Sequence, residues 1–232
     1  MVPVYNEAAA VGGVVREWAA RVRALCPQAV FCIVDDGSTD ASPAVLDRLS
    51  ADLPRLQVLR QPNRGHGQAC LAGYRAALDA GARWVLQIDS DGQCDPGCFE
   101  RLWAARGPAA AVLGRRRRRE DGLVRTVISR VLSLVVLAAT GVRVRDANTP
   151  YRLMRADALA AALPRVAADV YLANILVALT LQAGPGITWV DVGFRQRVRP
   201  TPLRARYFAI QAIRLWGDLR RWSRERRTRR LA

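Results

Sequence analysis

Two short acidic turns hold the residues of this chain best suited to chemistry. Asp89-Ser90-Asp91-Gly92-Gln93 follows the apolar run Trp84 to Ile88, and Asp35-Asp36-Gly37-Ser38-Thr39-Asp40 follows Ala29 to Val34. An Asp-x-Asp at a strand end presents two hard oxygen ligands at the carboxyl edge of a sheet, where open α/β folds bind their ligands. Magnesium and manganese favour such sites, taking one or two carboxylates and completing their shell with water and substrate phosphate. The pattern points to a metal-bound diphosphate. For an isolated Asp-x-Asp a solvated turn, in which Asp side chains bond their own backbone, is the favoured reading. The second acidic turn, at a second strand end, lifts the first above that reading.

The elements that position these turns follow from period and punctuation. Short β-like runs near 1–4, 29–35, 56–60, 84–88 and 110–114 alternate with helical patterns at about 9–25, 41–52, 66–80 and 96–106. Such alternation is the signature of an α/β fold with a mostly parallel sheet flanked by helices. Ser38 or Asp40 is expected to cap the second helix, and Asp95-Pro96 reads as an N-cap followed by Pro at the first helical position. From Leu123 to Thr140 a helical pattern sets Val124, Val127, Ile128, Val131 and Val135 on one stripe, with Arg125 and Ser129 four apart on another face that could hold an anion. A short strand or turn around Asp146 to Met154, helices near 156–163 and 169–183, and a strand near 187–194 follow.

The 232 residues, 51% hydrophobic, suffice for one domain with a sizeable core, expected over 1–200, with 201–232 as an Arg-rich amphipathic C-terminal helix. That helix shows a stripe of Phe208, Ala212, Leu215, Leu219 and Trp222, with Trp216 beside it. Five cysteines, odd in number and set in or beside apolar segments, read as buried thiols of a reducing compartment. The longest uncharged apolar run, Val131 to Val142, falls short of the roughly 20 residues that span a bilayer. No signal peptide is read at the start, and a first strand of about four residues, against the usual 5 to 6, points to a truncated or wrongly assigned beginning.

The net charge of +16 is carried without any lysine, which fits a codon bias. Residues 199–232 hold 11 Arg against Asp218 and Glu225, and residues 114–125 hold 6 Arg against Glu120 and Asp121, so these two segments account for 13 of the excess charges. Such patches suit polyanions, namely anionic lipid headgroups of a membrane surface, phosphorylated lipids or nucleic acid, and a helix with Trp and Phe on one side and arginines on the other suits the bilayer interface. The plainer alternative is a docked stripe with a solvated basic end.

Together, Val2-Pro3-Val4-Tyr5-Asn6-Glu7, Asp35 to Asp40, Asn63-Arg64-Gly65-His66-Gly67 with Gly73, Asp89 to Gln93, and Asp146 through Arg152 resemble the GT-A (Rossmann-like) glycosyltransferases of family 2. Within that family they resemble the polyprenyl-phosphate sugar synthases, of the dolichol-phosphate mannose synthase kind. The resemblance spans about residues 1–197. It implies inverting transfer of a hexose from a GDP- or UDP-sugar, with Mg2+ or Mn2+ as cofactor, to a polyprenyl (dolichyl or undecaprenyl) phosphate. The enzyme would be cytoplasmic and peripheral on the inner face of the cell membrane, with no specific nucleic-acid partner.

By the same resemblance Pro3, Tyr5, Glu7 and Asp36 would hold the nucleoside, Asp89, Asp91 and Gln93 the metal and diphosphate, and Arg115, Arg125, Ser129 and Arg152 the acceptor phosphate. An ionised phosphate acceptor needs no protein base. A hydroxyl acceptor would need one, for which Asp169 is the candidate, its other reading being an N-cap. Asn63 to Gly67 is read as loop geometry and His66, the only histidine, as structural. The chain departs from the family at Phe194 to Pro202, where Pro200 and Pro202 stand in place of a flexible Gly and Ser loop and Arg197 is the residue left to reach the diphosphate. A different class of reading, an impaired relative binding anionic membrane or nucleic acid, gives no reason for both acidic turns.

Overall fold

In the computed structural model the described backbone comprises residues 1–116, 123–166, 170, 172–195 and 205–231, with side chains within 116–130, 205–213 and 229–231 outside the description. β1 (Val2–Val4), β2 (Phe31–Asp35) and β3 (Leu56–Arg60) form a parallel ladder with β2 in the middle. β4 (Trp84–Gln87), β6 (Arg152–Arg155), β5 (Ala111–Arg116) and β7 (Ile187–Val192) form a second ladder in that spatial order. β5 and β7 run parallel, whereas β6 is antiparallel to both its neighbours. Met1 joins the two ladders, its amino group donating to Leu86 O at 2.5 Å and its carbonyl accepting from Ile88 N at 3.3 Å.

The chain thus steps outward from β1 to β2 and β3, then returns to place β4 on the other side of β1. Strand order reverses between β1 and β4, and a crevice opens at such a switch point because the two flanking connections leave in opposite directions. Both acidic turns sit at this carboxyl edge.

Helices cover the sheet as their apolar periods require. α1 (Ala8–Leu25) buries Val11, Val14, Val15, Trp18 and Val22, and α2 (Ser42–Asp52) buries Leu46 and Leu49. Asp40 Oδ1 accepts from Ser42 N at 2.8 Å at the head of α2, and Asp95 accepts from Gly97 N at 3.0 Å at the Pro96–Cys98 turn that precedes α4 (Phe99–Ala104). α3 (His66–Asp79) lies so close to the sheet that a Cβ on Gly73 would come within 3.1 Å of Val34 Cγ2.

In the second half, α5 (Leu123–Thr140) buries Val136 and Ala139 but leaves Val131 52% exposed. The expected stripe is therefore rotated: Val135 packs on the core, while Val131 faces outward with Leu134 and Leu137. α6 (Ala156–Ala162) leads to α7 (Ala173–Ala183), an almost wholly apolar helix buried from Ala173 to Leu181. α7 begins at Ala173, four residues after the expected start, and Asp169 lies outside the described residues. α8 (Ala205–Leu231) docks Leu215, Leu219 and Trp222 into the same core, with Trp222 Nε1 donating to Thr180 Oγ1 at 2.9 Å.

Candidate active site

A cleft of about 530 Å³ opens at the switch point, lined by Pro3, Val4, Tyr5, Glu7, Asp36, Asn63, Arg64, Gly65, His66, Ala69, Asp89, Ser90 and Asp91. Four strand ends contribute, those of β1, β2, β3 and β4, so residues far apart in sequence meet because their connections share one edge.

The first two connections are stitched together. Asn6, held at a φ of 56°, turns its Oδ1 to accept from Thr39 N at 2.8 Å and Asp40 N at 3.2 Å. In return Asn6 N donates to Ser38 Oγ at 3.0 Å and Glu7 N to Ser42 Oγ at 2.9 Å. Asn tolerates this left-handed conformation better than other side chains, and its amide satisfies backbone donors that would otherwise face solvent. The result fixes Tyr5, 47% exposed, and Glu7 on the rim.

Asp35 and Asp36 divide their work. Asp35 Oδ1 accepts from Ser38 N at 3.0 Å and closes the turn. Asp36 reaches across to the β3–α3 loop: Oδ1 accepts from Gln61 Nε2 at 2.6 Å and Arg64 N at 3.0 Å, and Oδ2 from Gly65 N at 2.8 Å. A carboxylate oxygen has two lone pairs, so Oδ2 keeps one direction for a ligand N–H. Gly37 makes the approach of the two loops possible, with a φ of 72° and a Cβ position only 2.7 Å from Asn63 N.

Asp89 and Asp91 form the opposite wall. Asp91 Oδ1 accepts from Gln93 N at 3.0 Å, and Asp89 Oδ1 lies 3.8 Å from His66 Nε2. Cys70 Sγ is 3.6 Å from the same imidazole nitrogen. The Cys70 sulfur and, after it, the Asp89 carboxylate push the His66 pKa up, while burial acts in the opposite direction. Among the described residues no three His, Cys, Asp or Glu side chains are close enough to enclose an ion. Two carboxylates are a donor set that fits Mg2+ or Mn2+ when phosphate oxygens and water complete the shell.

The expected residues divide clearly. Pro3, Tyr5, Glu7, Asp36, Asp89 and Asp91 line one cleft. Gln93 is buried and is absent from that wall; its backbone engages Asp91 and Arg195. Arg152 is also a correction. It is fully buried, with Nε, Nη1 and Nη2 donating to the carbonyls of Thr149, Asn174 and Ala147 at 2.6, 2.6 and 2.7 Å. A guanidinium so committed is a strut that ties β6 to α7. Arg115 binds Asp191 at 2.7 Å across β5 and β7, away from the cleft wall. Arg197 lies outside the described residues, as do the side chains of Arg125 and Ser129.

Arg64 and His66 are cleft residues that the loop-geometry reading passed over. The signal was present: a third strand-to-helix connection must open on the same edge as the first two.

The sequence matches the profile of glycosyl transferase family 2 over residues 1–163. It is 31% identical over 167 residues to the undecaprenyl-phosphate mannosyltransferase of Micrococcus luteus, covering 69% of this chain and 67% of that protein. It is also 31% identical over 167 residues to the polyprenol monophosphomannose synthase of Mycolicibacterium smegmatis, covering 68% of this chain and 62% of that one. The chain therefore spans about two thirds of the length of these relatives. In fold it is similar to the mannosyl-3-phosphoglycerate synthase of Rubrobacter xylanophilus, with a TM-score of 0.68 at 16% identity over 97% of this chain and 73% of that one. A glucosyl-3-phosphoglycerate synthase of Mycobacterium tuberculosis, solved with Mn2+, UDP-glucose and phosphoglyceric acid, gives a TM-score of 0.67 at 19% identity over 96% of this chain and 78% of that one.

Proposed function

We infer the reaction from one premise: this chain belongs to glycosyl transferase family 2, with the mixed sheet and helices of the GT-A fold. We propose that it moves a hexose from a GDP- or UDP-sugar to a polyprenyl phosphate. A phosphate oxygen of the acceptor attacks the anomeric carbon, the bond from that carbon to the diphosphate breaks with inversion, and the electron pair leaves on the diphosphate. The observation that carries this reading is the cleft itself, in which Pro3, Tyr5, Glu7 and Asp36 face Asp89 and Asp91 across one edge.

The exposed Tyr5 ring offers a surface on which a nucleobase stacks, and Asp36 Oδ2 an acceptor for a base N–H. Asp89 and Asp91 would hold Mg2+ or Mn2+, whose charge neutralises the departing nucleoside diphosphate. Arg64, exposed on the facing loop, adds a fixed cation on the other side of the same diphosphate.

The polyprenyl phosphate acceptor is supported by the names of the relatives. A membrane-surface location is supported by the outer face of α5 and α8, which pack together. Val131, Leu134 and Leu137 on α5 and Trp216 on α8 are exposed, and Arg214, Arg220, Arg224 and Arg227 of α8 face solvent. Among the described residues no helix is long and apolar enough to cross a membrane, so this apolar and basic face is the part suited to the bilayer interface. One observation favours a hydroxyl acceptor instead: Arg152 and Arg115, two of the four residues expected at the acceptor phosphate, are engaged within the protein.

The deciding experiment supplies radiolabelled GDP- and UDP-sugars with polyprenyl phosphate, Mg2+ and Mn2+. Labelled lipid that disappears with EDTA is the expected result. Label only in water-soluble products supports the hydroxyl acceptor, and no turnover with any donor overturns both.

A further inference from the structure

Behind the acidic wall of the cleft lies a polar chain enclosed in the core. Gln87, Tyr74 and Asn174 come from β4, α3 and α7 and are 0%, 0% and 3% exposed. The Tyr74 hydroxyl donates to Gln87 Oε1 in a short hydrogen bond and lies 3.1 Å from Asn174 Oδ1. Asn174 Nδ2 is in turn 3.2 Å from His66 Nε2, which returns to the cleft 3.8 Å from Asp89 Oδ1. Both ends of the chain therefore come near one residue: Gln87 is the last residue of β4, two positions before Asp89 in the turn that follows, and His66 faces the Asp89 carboxylate.

Burying these groups in an apolar core costs free energy unless each finds a partner, so the bonds made by Tyr74 and Asn174 favour one arrangement of the elements that carry them, with Gln87 Nε2 left without a partner among the described residues. α7 makes the point sharply. Asn174 and Thr180 are the polar residues on its buried surface, and Thr180 bonds its own helix and Trp222. Asn174 is bonded twice over, by its side chain to the chain described and by its carbonyl to Arg152 Nη1. Burial holds the Tyr74 phenol well above its usual pKa, so it acts as a neutral hydroxyl. A hydroxyl has a single proton to give. With that proton given to Gln87, Asn174 presents its nitrogen to Tyr74 and its oxygen to His66 Nε2–H, so the three links donate in one direction and His66 meets the Asp89 carboxylate as an ion-pair contact at 3.8 Å.

We propose that His66, Asn174 and Tyr74 are positioning residues for Asp89, fixing its carboxylate in the orientation that binds the divalent ion. The inference rests on the reading of Asp89 as a metal ligand. Groups that orient a ligand from behind typically change metal affinity by about 10- to 100-fold when removed.

The test titrates the full chain with Mn2+ in the presence of GDP or UDP, following the signal of the free ion by electron paramagnetic resonance, with a thermal melt of every variant. Asn174→Ala and His66→Ala are expected to weaken Mn2+ binding at least about tenfold, and Tyr74→Phe, which removes only the hydroxyl, by less. His66→Gln, which can place a polar atom where Nε2 stands, should recover most of the affinity lost in His66→Ala. Should Asn174→Ala fail to fold, the Tyr74→Phe and paired His66 variants decide. Lowered melting temperatures with unchanged Mn2+ affinity would overturn the proposal, leaving the chain as core packing alone. If the unsubstituted protein binds no Mn2+, the metal reading of the cleft fails and the positioning role falls with it, a result distinct from equal binding by all variants.

Discussion

The edge proposed to hold the donor and the side proposed to hold the acceptor are built on opposite plans. At the donor edge, Asn6, Asp35, Asp36 and Ser38 spend their side chains on neighbouring backbone, so that Tyr5, Glu7, Asp89 and Asp91 are presented from an interlocked set of loops. On the acceptor side the arginines expected to meet a phosphate are drawn into the protein, Arg152 by three carbonyls and Arg115 by Asp191. The contrast teaches that a turn motif declares its geometry, whereas an arginine declares only that it seeks oxygen.

Breaking the donor edge should have the largest effect. Asp91→Ala is expected to lower sugar transfer by at least about 10³-fold, on the order of 4 kcal/mol of transition-state stabilisation. Circular dichroism should be unchanged, and EDTA should reproduce the loss in the unsubstituted enzyme. Transfer at the original rate would remove the acidic turn from the chemistry.

Arg152 comes next, and here the two plans predict different observables. Cut back to Met, the strut takes a charged donor from three buried carbonyls, of which Asn174 O keeps the N–H of its own helix, and hydrogen bonds to a charged group are worth about 1.5–3 kcal/mol each. Arg152→Met should therefore destabilise the fold by about 3 kcal/mol or more in urea unfolding. A stable Arg152→Met variant with a raised KM for lipid phosphate would instead return Arg152 to the acceptor site.

These cases show why part of the molecule could be read from sequence and part could not. β3 falls on Leu56–Arg60, as its β-like run predicts, and Asp36, Asp89 and Asp91 follow from strand ends and turn chemistry, which are local, whereas Pro3 and Tyr5 are legible only through the family resemblance. Local rules do not say which face of α5 meets the core: Val131 fits the helical period of the stripe, yet faces solvent because α8 and α7 decide where the core lies. Nor do they say that β6 enters the sheet antiparallel between β4 and β5. Arg152 belongs to this second kind, since its three carbonyl partners come together only after β6, α7 and the preceding loop have packed.

The outward face of α5 and α8 sharpens the acceptor side from another direction. Leu134 is 63% exposed and Trp216 44%, so neither contributes much to the core. The pair Leu134→Ser and Trp216→Ser should leave the melting temperature within a few degrees while weakening flotation with vesicles containing anionic lipid. Each side chain is expected to contribute about 1–2 kcal/mol of interfacial binding. Undiminished flotation would assign membrane contact to the arginines alone, which raising the salt concentration would then abolish.

The smallest effect belongs to Arg115 and Asp191, whose side chains are 42% and 37% exposed. A half-exposed ion pair is worth about 0–1 kcal/mol, because solvent screens the charges and two side chains lose freedom in forming it. Asp191→Ala should therefore cost less than about 1 kcal/mol of stability, but it also releases a guanidinium at the end of β5. If the acceptor phosphate lies within reach of that strand end, freeing Arg115 lowers the KM for lipid phosphate and Arg115→Ala raises it. If Arg115 serves only to join β5 to β7, the two substitutions cost the same small amount and leave KM alone, because each removes the same cross-strand contact. Equal and opposite changes in KM would thus show that the acceptor side holds an arginine in reserve, and identical stability losses would show that the ion pair is its whole role.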